Sequence, residues 1–282
     1  MRANNRKQSG SRGSATFPVT HTKIPADHPR AKSLHTREKL IERYLEGIVA
    51  ASGLIAHGRG EAFDYLLREE TSKPALKAIT AAAAMLLTAE NPVISVNGNT
   101  AALVAEEVVK LANATGSKIE VNLFYRSLER ELAIEKLLEK AGAHEVFGVG
   151  KKASAKIPEL SSERRRVDPR GILAADVVMV PLEDGDRTEA LAKMGKKVIA
   201  IDLNPLSRTA QKATITIVDN IIRSAPRLVE TAEKLKNQDT RKYGEILRNF
   251  NNRKNLAESI TLINGNLSKF AGKRRIEQGR MM

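Results

Sequence analysis

Polar side chains follow two consecutive apolar segments of the chain, at the point where each segment ends. Asp202 and Asn204 come after the first segment, and Asp219 and Asn220 come after the second. An acid at the end of a buried strand is well placed to accept hydrogen bonds from a ribose or an adenine amine. Arg208 follows within the next turn and can meet phosphate. We therefore expect the two segment ends to share one nucleoside pocket.

A turn of Asn97, Gly98 and Asn99 leads from an earlier apolar segment into a helix-like one. Glycine lets the backbone approach a ligand, asparagine can cap a helix, and a helix N-terminus attracts anions. An ordinary capped turn has the same residues. The pattern alone therefore leaves an anion site and a structural turn both open.

Three acidic side chains, Glu183, Asp184 and Asp186, stand within four residues of one another. They repel one another unless a cation or hydrogen-bond donors lie among them, which suits a magnesium ion or a substrate amine. N-capping of a helix by Asp186, with two solvated acids before it, explains the same residues. These two interpretations are equally compatible with the sequence.

A fourth group of reactive side chains, His57, Arg59, Glu61 and Asp64, is interrupted by glycines just before a predicted helix. The glycines indicate mobile backbone beside groups that can bind or transfer protons. A lone histidine is more often structural, but within this run we favour a functional role for His57.

Several familiar chemistries lack their motifs. The chain has no cysteine, which excludes a thiolate nucleophile, a disulfide and a zinc–sulfur site. Gly148–Lys152 has the wrong spacing for a phosphate-binding P-loop, and no G-x-G-x-x-G follows a strand-like segment. A P-loop NTPase and a dehydrogenase are therefore disfavoured.

The elements that carry these residues alternate between strand-like and helix-like patterns. The expected strands are Val93–Val96, Lys118–Phe124, Asp176–Leu182, Val198–Leu203 and Thr214–Val218. The expected helices are Arg37–Ala51, Glu61–Arg68, Lys73–Ala89, Thr100–Ala114, Leu128–Ala141, Arg187–Met194, Pro205–Lys212 and Asn220–Lys236, with further helix to the C-terminus. Residues 147–171 are predicted to form an irregular excursion that contains an arginine run, Arg164–Arg166.

Continuous apolar strands joined by helices predict an α/β fold. We expect a Rossmann-like, mainly parallel sheet with helices on both faces, preceded by an N-terminal helical segment and followed by C-terminal helices. In such sheets ligands bind beyond the carboxyl ends of the strands.

The strong basicity of the chain lies mostly at its ends. The formal net charge is +14, of which residues 1–32 carry +6 and residues 264–282 carry +4. We predict a disordered basic tail over residues 1–22, a single domain over 23–270 and a basic C-terminal tail over 271–282. The sequence has neither a secretory signal nor an apolar run of the roughly 20 residues that a membrane span needs, so a cytoplasmic location is expected.

Long blocks of the sequence closely resemble the archaeal phosphopantothenate synthetase family. They occur in the family's order between about Ile24 and about Leu235, and they are Gly53–Tyr65, Glu90–Asn99, Asn122–Arg126, Val180–Leu191, Ile201–Arg208 and Ile215–Ile221. Ungapped matches of this length are specific. The first 22 residues have no counterpart that we can place, and the C-terminal helices match only loosely.

The resemblance implies a homodimeric ligase that joins 4-phosphopantoate to β-alanine in coenzyme A synthesis. ATP would be converted to AMP and pyrophosphate through an acyl-adenylate, with Mg²⁺ offsetting the charge of the polyanions. The matching ATP positions are Arg37, Arg59, Asp202, Leu203, Asn204, Arg208, Thr209, Asn220 and Ile221.

Further roles within this chemistry are hypotheses. Asn97, Asn99 and Arg126 are candidates for the phosphate of phosphopantoate, because they combine a cation with helix-start amides. His57 would bridge phosphates or transfer the amine proton. Arg37, Arg59 and Arg208 would act with Mg²⁺ as a basic clamp that offsets the repulsion between the polyanions. Asp184 or Asp186 would hold Mg²⁺ or the ammonium of β-alanine.

Two other functions remain open at this point. A nucleic-acid-binding module would explain the basic ends, but only 4% of the residues are aromatic and no reader motif is present. Another nucleotide-dependent enzyme on the same sheet, such as a kinase or a dehydrogenase, would explain the polar strand ends.

Overall fold

The structure is a computed structural model, and it describes residues 24–182 and 184–279. The predicted disordered tail, residues 1–22, lies outside the described residues. The chain divides into two units, one that ends at Glu38 and one that begins at Lys39. The second unit contains the sheet and nearly all the helices.

Ten α-helices and eight strands form within the described ranges. The helices are α1 (Ala31–Leu45), α2 (Ala51–Leu66), α3 (Lys73–Thr88), α4 (Gly98–Thr115), α5 (Leu128–Lys140), α6 (Gly185–Lys193), α7 (Arg208–Lys212), α8 (Ile221–Lys236), α9 (Thr240–Asn249) and α10 (Asn252–Gly279). The strands are β1 (Pro92–Val96), β2 (Lys118–Val121), β3 (Val146–Phe147), β4 (Ala155–Lys156), β5 (Arg166–Val167), β6 (Val177–Pro181), β7 (Lys197–Ile201) and β8 (Ile215–Ile217).

Six strands form one parallel sheet in the order β3-β2-β1-β6-β7-β8. The chain first builds outward from β1 to β3, then returns to the other side of β1 and builds outward again from β6 to β8. The direction of winding therefore reverses between β1 and β6, which is the switch point where open α/β sheets bind ligands.

Alternate side chains of the central strands enter two separate cores. Ile94 and Val96 pack with α3, α4 and α8 in one core, whereas Val93 and Val178 pack with α6 in the other. Burial on both faces explains why these strands read as continuous apolar runs. The predicted α/β fold, with its parallel sheet and terminal helices, is confirmed.

The glycine-interrupted run before Glu61 is helical, where the sequence indicated mobile backbone. Helix α2 continues unbroken through Gly53, Gly58 and Gly60. Glycine in a helix interior costs roughly 0.5–1 kcal/mol relative to alanine, and here close packing explains its use at Gly53. A methyl group on Gly53 would overlap the Asn99 carboxamide, which donates a 2.8 Å hydrogen bond to the Gly53 carbonyl.

The irregular excursion between β3 and β6 contains the antiparallel pair β4 and β5. We call residues 148–172 the arm. Side chains near the end of β2 fasten it: Glu120 accepts hydrogen bonds from the Asp168 and Ile172 amides, and Asn122 donates to the Arg164 and Arg166 carbonyls. Of the helices in the described ranges, none combines the length and hydropathy that a membrane span requires.

Candidate active site

Two adjoining cavities lie along the carboxyl ends of the strands. The β7–β8 cavity has a volume of about 320 Å³, and the β1–β6 cavity, at the switch point, has a volume of about 360 Å³. The residues that line both are Ala56, Asn99, Leu182 and Arg208. Leu182 has a φ of 65°, a left-handed conformation that non-glycine residues rarely adopt, so the backbone is strained where the cavities meet.

Asp202 forms the floor of the β7–β8 cavity directly after β7. It is buried, its Oδ1 accepts a 2.9 Å hydrogen bond from the Asn204 amide, and its Oδ2 accepts one from the Ser207 hydroxyl. Ser207 in turn caps the N-terminus of α7. These bonds hold the turn so that Asp202, Leu203 and Asn204 all line the cavity.

A second group of bonds fastens α2 across the end of β8. Asn220 caps α8 with its side-chain oxygen and donates a 2.8 Å hydrogen bond to Asp64 Oδ2. Arg223 contacts both carboxylate oxygens of Asp64 and also pairs with Asp219. Burial raises the pKa of Asp219 above its ordinary value, and Arg223 partly opposes this. These contacts of Asp64 with Asn220 and Arg223, which we call the α2 clamp, hold α2 beside the strand ends.

Helix α2 supplies the other wall of the β7–β8 cavity. His57, Arg59 and Glu61 all line it, and the Tyr65 hydroxyl donates a 2.8 Å hydrogen bond to Glu61. Residues 57 and 61 lie one turn apart, so an unbroken helix presents them on the same face. A continuous α2 therefore explains why His57 and Glu61 face the same cavity.

The β1–β6 cavity is lined by a helix N-terminus, three arginines and two aspartates. Asn97 caps α4 through a 2.9 Å hydrogen bond from the Thr100 amide, and the start of this helix, Gly98 and Asn99, lines the cavity. A helix N-terminus carries partial positive charge and unpaired amides. Three guanidinium groups line the same cavity: Arg130, Arg164 and Arg208.

Arg130 and Arg164 reach this cavity from different parts of the fold. Arg130, on α5, donates a 2.9 Å hydrogen bond to the Ile48 carbonyl and another to the Tyr125 carbonyl. Arg164, on the arm, donates to the Asn122 carbonyl, and its Nε lies 2.7 Å from Asp184 Oδ2. Burial lowers the pKa of Arg164, and Asp184 partly restores it.

The two carboxylates after β6 have different surroundings. Asp184 caps α6, and its Oδ2 lies between the guanidinium groups of Arg164 and Arg187, so both oxygens are engaged. Asp186 is largely exposed, lines the β1–β6 cavity and pairs with Arg208. The two carboxylates predicted from one acidic cluster are therefore not equivalent: one is held by arginines, and the other faces solvent at the cavity mouth.

Most of the residues predicted for ATP lie together. Seven of the nine line the β7–β8 cavity, namely Arg59, Asp202, Leu203, Asn204, Arg208, Asn220 and Ile221. Thr209 is fully buried, and its hydroxyl accepts a 2.9 Å hydrogen bond from the Asp184 amide. Arg37 belongs to the first unit of the chain, and its assignment stays a prediction.

The candidates for the acid substrate divide between the cavity and the arm. Asn97 and Asn99 line the β1–β6 cavity, whereas Arg126 lines neither cavity. Arg126 is buried, pairs with Glu131, and donates to the Arg166 and Gly148 carbonyls, which ties the arm to α5.

Sequence reasoning did not single out Arg130 and Arg164, although both line the β1–β6 cavity. For Arg164 a signal existed, since it opens the arginine run of the excursion. Arg130 stands three residues into α5 and has the appearance of an ordinary helix-surface residue.

No group of three or more histidine, aspartate or glutamate side chains within residues 24–182 and 184–279 is arranged to hold a metal ion. Mg²⁺ is commonly bound by one or two carboxylates together with substrate phosphates. Asp186, exposed beside Arg208 at the cavity mouth, fits that mode of binding.

The sequence of the chain is similar to a known family and to several named proteins. A family model described as phosphopantothenate/pantothenate synthetase matches residues 74–266. A 4-phosphopantoate--beta-alanine ligase of Thermococcus onnurineus is 53% identical over 249 residues, which are 88% of this chain and 95% of that protein. Ligases with the same name are 52% identical in Thermococcus kodakarensis, over 88% of this chain and 95% of that protein, and 50% identical in Methanosarcina mazei, over 89% and 98%. The chain belongs to the phosphopantothenate/pantothenate synthetase family, as the resemblance of its sequence blocks predicted.

Proposed function

We propose that this chain is an ATP-dependent ligase that joins 4-phosphopantoate to β-alanine and releases AMP and pyrophosphate. The observation that carries the proposal is that one guanidinium group, Arg208, lines two adjoining cavities of different character. One cavity is suited to a nucleoside and the other to an anion, so the two substrates that must react would meet at Arg208.

ATP is assigned to the β7–β8 cavity. Asp202 and Asn204 supply acceptors for ribose and adenine donors, and Asn220 stands at the neighbouring strand end. The triphosphate would extend toward Arg59, His57 and Arg208, because these are the side chains of the cavity that can carry positive charge. Mg²⁺ is proposed to arrive bound to the phosphates, with Asp186 as its protein ligand.

Phosphopantoate is assigned to the β1–β6 cavity. Its phosphate suits the start of α4 together with Arg130 and Arg164, since guanidinium groups bind phosphate through paired hydrogen bonds. The carboxylate at the other end of the molecule would then face Arg208 and the α-phosphate. Asp186 rather than Asp184 is proposed for Mg²⁺ because Asp184 is already held by two arginines, and the ammonium of β-alanine is left unassigned.

The reaction needs no protein nucleophile. A carboxylate oxygen of the acid attacks the α-phosphorus, an O–P bond forms, and the bond to pyrophosphate breaks. The β-alanine amine, after losing a proton, then attacks the acyl carbon, a C–N bond forms and AMP leaves. Arginines and helix-start amides stabilise the charge that develops at each step. His57 is the proposed acceptor of the amine proton.

The homodimer and the cytoplasmic location stay predictions. Light scattering of the purified protein tests the first, and a mass of one chain would refute it.

Product analysis tests the reaction. Purified protein is incubated with ATP, Mg²⁺, 4-phosphopantoate and β-alanine, and mass spectrometry follows 4′-phosphopantothenate, AMP and ADP. We expect 4′-phosphopantothenate with AMP and pyrophosphate, and the acyl-adenylate when β-alanine is omitted. ADP would indicate a kinase instead, and NADH formation with added NAD would indicate a dehydrogenase.

An arginine variant tests the basic clamp. Arg59→Ala should weaken ATP binding and slow turnover, because it removes a cation from the cavity wall. Arg227→Ala makes the same charge change at an exposed position of α8 and serves as the control. Equal ATP affinity and turnover in the two variants would exclude Arg59 from the site.

A further inference from the structure

Arg187 is a fully buried guanidinium directly below the active site. Its side chain is 0% exposed, and it lines neither cavity. Burial lowers its pKa to about 9, with repulsion from Arg164 as the second cause. Neither its Nε nor its Nη2 makes a hydrogen bond within the described part of the chain, although Nε is ion-paired.

Nη1 and Nε of Arg187 join the ends of three neighbouring strands. Nη1 donates to Ser95 Oγ at 2.6 Å, near the end of β1, and to Asn122 Oδ1 at 2.8 Å, directly after β2. Nε lies 3.1 Å from Asp184 Oδ2, after β6. The strands β2, β1 and β6 are adjacent in the sheet, and β1 and β6 flank the switch point.

Stability alone gives a poor account of this arrangement. A buried ion pair is often no more stable than apolar side chains of similar volume, because both charges must leave water. Here two guanidinium nitrogens, Nε and Nη2, also lack a hydrogen bond within the described residues. What Arg187 supplies, and an apolar residue would not, is a defined geometry among three strand ends.

That geometry extends to the groups that line the β1–β6 cavity. Asn122, held by Arg187, donates to the Arg164 and Arg166 carbonyls, and its own carbonyl accepts from Arg164. Asp184, also held by Arg187, pairs with the Arg164 side chain. Backbone and side chain of Arg164 are therefore both positioned through partners of Arg187.

We propose that Arg187 is a positioning residue of the ligase: through Asn122 and Asp184 it sets the place of Arg164 in the β1–β6 cavity. The inference rests on the proposed function, which assigns the acid substrate to that cavity. Arg187 is linked to the residues predicted for ATP through the Asp184 amide, which donates to Thr209. Both the backbone and the side chain of Arg164, by contrast, depend on partners of Arg187, so the effect of Arg187 should fall mainly on the acid.

Arg187→Lys is the direct test, because lysine keeps the charge but has one nitrogen and cannot reach Ser95, Asn122 and Asp184 together. Steady-state kinetics with each substrate varied in turn, and calorimetric titration of ATP, are the readouts. We expect a KM for 4-phosphopantoate at least tenfold higher and a kcat about 100-fold lower, the loss typical of a misplacement near 1 Å. The Kd for ATP should stay within about twofold of the wild type, since the bonds that hold the Asp202 turn and the Asn220 cap do not involve Arg187.

Two further variants separate positioning from stability. Leu191→Ala also truncates a fully buried side chain of α6. Leu191 packs in the apolar core and lines neither cavity. The substitution should lower Tm and leave the KM for the acid unchanged. Asn122→Asp keeps an acceptor for Arg187 but turns a carboxylate oxygen toward the Arg164 and Arg166 carbonyls. It should lower Tm as Leu191→Ala does, but unlike Leu191→Ala it should also raise that KM.

The outcomes are distinct. No 4′-phosphopantothenate from the wild type would overturn the proposed function itself. If the wild type is active and Arg187→Lys has the same kinetic constants, the positioning role alone is overturned. It is also overturned if Arg187→Lys and Leu191→Ala change every kinetic constant equally. If Arg187→Lys does not fold, Asn122→Asp decides: a normal KM for the acid refutes the inference, and a raised KM with normal ATP binding supports it.

Discussion

Replacing Glu120 by glutamine should change how the stability of this protein depends on pH. Glu120 lies on β2, is 0% exposed, and accepts hydrogen bonds from the Asp168 amide at 3.0 Å and the Ile172 amide at 2.6 Å. Burial raises its pKa from 4.5 to about 7, although the two amide hydrogen bonds act in the opposite direction. Glutamine has the same shape but does not titrate.

The sign of the effect follows from proton binding. Between pH 4.5 and about 7, the folded protein keeps a proton on Glu120 that the unfolded chain has lost. The free energy of unfolding therefore falls as pH rises through this window and is level above it. A pKa displaced from 4.5 to about 7 corresponds to a loss of roughly 3 kcal/mol.

Urea unfolding at pH 4.5, 5.5, 6.5 and 8 measures the effect. From pH 4.5 to pH 8, the free energy of unfolding of Glu120→Gln, relative to that of the wild type, should rise by about 3 kcal/mol. A constant offset of about 1–3 kcal/mol against the variant is also expected, because its amide turns a donor toward one backbone N–H. Glu233→Gln, at an exposed position of α8, is the control and should follow the wild type. Parallel curves for Glu120→Gln and the wild type would refute a buried carboxyl with a raised pKa.

Three other predictions follow from particular contacts. Asp202→Ala removes the acceptor at the floor of the β7–β8 cavity and should weaken ATP binding by about tenfold or more in calorimetry; unchanged affinity would place ATP elsewhere. Asp64→Asn breaks the two-oxygen contact with Arg223, and urea unfolding should show that the free energy of unfolding falls by about 2 kcal/mol. An unchanged value would mean that the α2 clamp contributes nothing to stability. Lys77→Ala removes an exposed pair with Glu258, and the same measurement should change by no more than about 1 kcal/mol; a larger loss would contradict the small value of surface pairs.

The sequence by itself determined the order and type of the main elements. Apolar runs of strand length, such as Val93–Val96, are visible because both faces of a parallel strand are buried. Turn residues and caps mark the strand ends locally, so Asn97, Asp202 and Asn220 could be chosen without coordinates. These signals depend on neighbours within a few residues, which is why they survive in a single sequence.

Only the tertiary structure decided which of these ends face one another and what else joins them. Arg164 comes to the switch point because the arm folds back onto β2, through bonds between residues about 40 positions apart. The burial of Glu120 and Arg187, both charged and therefore expected at the surface, depends on the same long-range docking. From the sequence, the glycines of α2 indicated mobile backbone. In the structure they are helical, and Gly53 leaves room for the Asn99 side chain, which comes from another element. Local spacing encodes a segment's own periodicity, whereas strand order and the docking of the arm depend on contacts between distant segments, which one sequence does not display.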